Sequence, residues 1–141
     1  MGYTHYWTVT APISDDTWRT ICRDARKLLK ASTAKVQLEY DDPLPPLVNS
    51  EVIRFNGAGD GGYETFILDR RSSAFSFCKT GRAAYDDVVC AILAVATEHA
   101  PMIQVSSDGM PEDWEDPVRR ASTVLKRPVP IPASVRDRAP A

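Results

Sequence analysis

Residues Phe75 to Ser107 read FSFCKTGRAAYDDVVCAILAVATEHAPMIQVSS, and the fold turns on this stretch. Phe75 to Cys78 has the aromatic, apolar character of a short strand, and Met102 to Ser106 repeats it. Between them, Tyr85 to Ala96 is an apolar run too long for a strand and stopped by Pro101, so a nearly buried helix is predicted. If the two strands are parallel neighbours, the three elements form a right-handed β-α-β unit. Both following loops then leave the sheet on one side, which sets Lys79, Thr80 and Arg82 beside Ser106, Ser107, Asp108 and Gly109.

Upstream, Tyr3 to Thr10 is rich in aromatic and β-branched residues and predicts a strand. Tyr3, His5 and Trp7 share one of its faces, and Thr4, Tyr6 and Thr8 the other. Ser14 then caps a helix from Asp15 to Ala31, in which Trp18, Ile21, Cys22, Ala25, Leu28 and Leu29 recur at helical spacing. Its opposite face carries Arg19, Arg23, Arg26, Lys27 and Lys30, the pattern of a solvated helix face. The proline-broken DDPLPPLVNS at 41–50 predicts a loop, and Val52 to Phe55 with Tyr63 to Leu68 a hairpin around a glycine-rich turn. A third helix is expected from Pro111 to Leu125, with Pro117 either starting or kinking it. The proline-rich tail 127–141 is expected to be flexible. The class is therefore α+β: one domain over 1–126, a mixed sheet of about five strands, two long helices and a shorter C-terminal one.

Composition excludes several functions. A net charge of −2 over 141 residues gives no strong nucleic-acid signal, because phosphate-backbone affinity needs clustered Lys and Arg. The 3 cysteines, with no C-x-x-C pair, fit buried reduced thiols and a cytoplasmic setting rather than a disulfide framework. No membrane partner is expected, since the longest apolar run, Val88 to Ala96, falls far short of the ~20 residues a membrane span needs. His5 and His99 have no metal-ligand spacing, so neither a metal nor another cofactor is expected. His99 suits the negative end of its helix. Gly57, Gly59 and Gly62 satisfy G-x-G-x-x-G, but a strand rather than a helix follows, which removes the pyrophosphate-binding mechanism. Ser106 and Ser107 lie in no nucleophile elbow.

The residues Met1 to Trp7 (MGYTHYW), Phe55-Asn56-Gly57, Glu64-Thr65-Phe66, Phe77-Cys78-Lys79-Thr80, Tyr85-Asp86, Ser107-Asp108-Gly109 and Trp114 together form a distinctive set. In these the chain resembles a family of small uncharacterised bacterial and phage proteins, over about Met1 to Leu125. The resemblance brings no established activity. Ala84 departs from it, standing where a proline often precedes the Tyr-Asp pair, and the tail is particular to this chain.

These motifs coincide with the loops reached by topology. Thr4, His5 and Tyr6 from the first strand, Lys79, Thr80, Arg82 and Tyr85 from the first loop, and Ser107 and Asp108 from the second combine ring faces, cations, hydroxyls and a carboxylate. That mixture suits a phosphate-bearing, nucleotide-like small molecule. The leading expectation is a non-enzymatic binder of such a ligand, with a counter-defence or signalling role in the host cytoplasm if phage-encoded, and able to form a homo-oligomer. One alternative is an enzyme using His5 or Asp108 as general base. Another is a module that binds a host protein through the basic helix or the tail.

Overall fold

The computed structural model describes residues 2–71 and 73–138. Strand β1 (Thr4–Val9) leads to helix α1 (Asp15–Ala31), the short strands β2 (Val36–Gln37) and β3 (Leu47–Val48), then β4 (Val52–Gly57), β5 (Phe66–Asp69) and β6 (Ser73–Lys79). Helix α2 (Asp86–His99), strand β7 (Ile103–Ser107), α3 (Pro111–Leu125) and α4 (Ala133–Arg136) complete the chain. The fold is α+β, as the patterning predicted.

Helix α1 begins where Ser14 accepts a hydrogen bond from the Thr17 amide, and it buries Trp18, Ile21, Cys22, Ala25 and Leu28 along one stripe. Helix α2 is different. All nine residues from Val88 to Ala96 are buried, because α1 and α3 flank it and the sheet lies beneath. Pro117 neither starts α3 nor ends it but lies inside it, with Pro111 filling the first turn where its missing N–H costs nothing.

The sheet corrects one expectation. Its order is β6-β1-β7, so the two strands of the β-α-β unit are not neighbours: β1 lies between them, antiparallel to both. The β6-α2-β7 connection is a split β-α-β. Its loops still emerge at one end, but they meet the start of β1 rather than each other. The Thr80 and Gly81 amides donate to the Tyr3 carbonyl, and the Asp108 amide to that of Thr4.

The second sheet is built on β4, which pairs antiparallel with β2, β3 and β5. The hairpin is present, but its second strand starts at Phe66 rather than Tyr63, because Asn56 takes up the intervening residues. The Asn56 side chain accepts from the amides of Gly57 (2.7 Å) and Tyr63 (3.1 Å) and donates to the Tyr63 carbonyl (2.8 Å). A Cβ at Gly57 or Gly62 would run into the backbone of the opposite side of the loop, so the glycines serve a close backbone crossing.

The tail also departs from expectation. Val129 and Val135 are buried in the core, α4 lies against β7, and Arg138 donates to the carbonyls of Ser107 and Gly109. Prolines interrupt any period there, yet the valines between them still find the core. Residues 139–141 lie outside the described residues. No helix is long and apolar enough to cross a membrane among the described residues.

Candidate functional site

Strand β1 turns two unlike faces outward from its backbone. Tyr3, His5, Trp7 and Val9 point toward the helices and are buried, while Tyr6 and Thr8 on the other face are only half-buried.

On the inner face His5 is 0% exposed, and its two ring nitrogens are both engaged. Nδ1 lies 2.8 Å from Ser107 Oγ and Nε2 lies 2.7 Å from Asp86 Oδ1. The tautomer follows from Ser107. Its oxygen already accepts N–H bonds from Gly109 (2.8 Å) and from the Trp114 indole (3.3 Å), so its own hydrogen goes to His5 Nδ1. The His5 proton is therefore on Nε2, donated to Asp86. Asp86 Oδ1 accepts a second bond from the Thr80 hydroxyl at 2.6 Å.

Around this series, residues of the other motifs close in. Glu64 Oε1 accepts from the Lys79 amide at 2.7 Å, and the buried Tyr85 hydroxyl donates to the Glu64 carbonyl at 2.5 Å. The Asp108 carboxylate accepts from the Thr4 amide (3.0 Å) and the Tyr6 hydroxyl (3.1 Å), clamping the start of β1. The rings of Tyr3 and Trp114 each meet His5 edge-on at 5.1 Å. Gly109 permits the closure, since a Cβ there would strike the Tyr3 hydroxyl.

A Ser107-His5-Asp86 series has the composition of a hydrolytic triad, and only the fold brings it together. Its geometry serves another end. Ser107 is 7% exposed and its hydroxyl is held from three sides in the interior. His5, Asp86 and Cys90 also gather their donor atoms within 4.8 Å of one another. A cation there would need the Nε2 lone pair, which the Ser107 hydrogen bond leaves protonated. Burial and then the Asp86 charge push the Cys90 thiol well up. Burial likewise pushes Cys78 up to about 12 and raises Cys22.

The α2 N-terminus, where free N–H groups and the helix dipole would favour an anion, is filled from within. Asp86 and Asp87 occupy its first turn, and Thr80 gives its hydroxyl to Asp86 rather than to the solvent side. Arg82, at φ 60° in the left-handed region, lies 3.9 Å over the Tyr3 ring and pairs with Asp113 at 2.9 Å. Burial opposes ionisation of Asp113, but the Met110 amide and then Arg82 outweigh it and hold the carboxyl below its ordinary range. His99 ends α2 as expected, though its partner is Asp24 of α1 at 2.8 Å.

The nine predicted site residues thus divide. His5, Thr80, Tyr85 and Ser107 are interior; Thr4, Tyr6, Lys79 and Asp108 belong to the outer sheet face and its rim; Arg82 covers Tyr3. On that outer face stand two residues the sequence reading passed over, Phe75 and Phe77 of β6, at 61% and 55% exposed. Ring centroids lie 5.9 Å apart for Tyr6 and Phe75 and 6.0 Å apart for Phe75 and Phe77. Beside the row is a shallow depression of about 230 Å³, lined in part by Tyr6, Thr8, Phe75, Gln104 and Ser106. Lys79 follows the row at β6's end, opposite Thr4, with its ammonium 5.5 Å over the Tyr63 ring. The alternation from Phe75 to Lys79 is a signal for an aromatic face; that no described residue covers it is not written in the sequence.

No protein-family model matches the chain, no curated protein matches it, and no solved structure matches it.

Proposed function

We propose that the protein binds a nucleotide-like small molecule, without transforming it, on the outer face of the β6-β1-β7 sheet. The observation that carries this reading is the contacting row Tyr6, Phe75 and Phe77, two of whose rings are more than half exposed. Exposed phenylalanine rings in mutual contact are costly in water and offer π faces to a planar base, a stacking interaction of about 1–3 kcal/mol per base. Lys79 supplies a cation for a phosphate at one end of the row. Asp108, Ser106 and Gln104 supply acceptors and donors for sugar hydroxyls and base edges. In a bacterial or phage setting, as the sequence resemblance suggests, such a protein captures a nucleotide signal in the host cytoplasm.

The test compares adenosine and guanosine with their 5′-monophosphates by calorimetry and by recovery of the ligand. Phe77→Ala is expected to weaken all of them at least tenfold. Lys79→Ala should weaken only the phosphorylated pair, and the ligand should be recovered unchanged. Absence of binding to all four, or binding indifferent to Phe77, overturns the reading. Recovery of an altered product would favour the enzyme with His5 or Asp108 as base.

A further inference from the structure

Strand β6 is an edge of its sheet. Hydrogen bonding along β1 shows which of its groups are spare. The Asp108 amide donates to the Thr4 carbonyl and the Thr10 amide to that of Met102, so the even-numbered residues of β1 bond toward β7. The odd-numbered ones bond toward β6, as the Tyr3 carbonyl does with Thr80 and Gly81. Their partners there are Cys78 and Ser76. The N–H and C=O groups of Phe75, Phe77 and Lys79 therefore point to the open edge. Lys79 is satisfied by Glu64. Those of Phe75 and Phe77 have no protein partner among the described residues.

Edge strands are ordinarily blunted by charge, proline or a bulge aimed outward. From Ser73 to Cys78, β6 has no charged residue and no proline; its register against β1 shifts between Ser73 and Ser76 and is regular from Ser76 to Lys79. We infer that β6 is a self-association edge, at which two copies of the chain pair antiparallel about a two-fold axis into a continuous six-stranded sheet. The strand suits itself as partner. A two-fold antiparallel register that sets odd residues against odd joins the spare groups of Phe75 and Phe77 to those of the other copy. The same register keeps all four phenylalanines on one face as cross-strand aromatic neighbours. With no charge in the segment, no like-charge contact opposes the pairing. An aromatic side chain offers about 150–250 Å², so four half-exposed phenylalanines supply on the order of 450 Å². Even with the paired backbone this stays below the about 1,000 Å² total of stable interfaces, so the dimer is weak and depends on concentration. The inference stands whether or not the ligand is a nucleotide.

Ala74 is exposed and lies in the register shift at the end of β6, so Ala74→Lys charges the edge without replacing either phenylalanine. Sedimentation of the full chain across a wide concentration range, with hydrogen exchange of the Phe75 and Phe77 amides, is the experiment. The wild type should pass from one copy to two, with those amides protected only in the dimer. Ala74→Lys should associate at least tenfold more weakly, and circular dichroism reports that it remains folded. A single copy at the highest concentration overturns the inference. So does a dimer whose Phe75 and Phe77 amides exchange freely, which would mean face-to-face packing. Nucleoside binding, measured separately on Ala74→Lys, reports on the ligand site alone.

Discussion

The two faces of β1 differ in how completely their chemistry is used. Inward, His5 has both nitrogens bonded, Ser107 is held from three sides, and Asp86 serves His5 and Thr80 together. Outward, Tyr6 leads to two phenylalanines that touch each other and water. Residue types that suggest catalysis are thus used for cohesion, while bland phenylalanines carry the accessible chemistry. A buried polar group is costly unless paired, so the paired His5, Ser107, Asp86 and Thr80 signal a specified interior, with the Tyr3 hydroxyl beside them left without a partner among the described residues. An apolar group left in water signals an interaction surface.

The sharpest way to break this comparison is His5→Ala. It leaves a cavity and strips Asp86 and Ser107 of their partner, so a loss of about 3 kcal/mol or more is expected in urea unfolding. A stable variant that instead lost ligand binding would reverse the assignment of the two faces. Ser107→Ala should cost less, about 2 kcal/mol, for the unsatisfied Gly109 amide and Trp114 indole.

Asp113→Asn probes the rim where Arg82 covers Tyr3. With the Arg82 side chain 60% exposed, screening limits the effect to about 0–1 kcal/mol. Because Asp113 is held below its ordinary range when folded, its contribution is present above the unfolded carboxylate value, about pH 4. It is lost as pH falls through the lower folded value. The gap between wild type and Asp113→Asn in pH-dependent unfolding should therefore close in acid. Phe77→Ala should change stability least, within about 0.5 kcal/mol, although it removes a proposed ligand contact. A large loss of stability there would mean that the outer face belongs to the core.

Much of the fold was legible locally. Ser14, the acidic first turn and the spacing of Trp18 to Leu28 delimit α1, and the apolar run before Pro101 marks a helix hidden on all sides. The gathering of motifs at one sheet end also followed from a strand-helix-strand order. The tail was misread because Val129 and Val135 reach the core without a period between prolines.

Sequence alone determined the longer helices and strands, the α+β class and which residues of β1 share a face, since these rest on local periods of 2 and 3.6. Only the tertiary structure decided that β1 lies between β6 and β7, because strand order depends on contacts remote along the chain. That single placement gives His5 its partners Ser107 and Asp86, 102 and 81 residues away, and so makes it a keystone of the interior. It also leaves β6 at the edge, where Phe75 and Phe77 meet water.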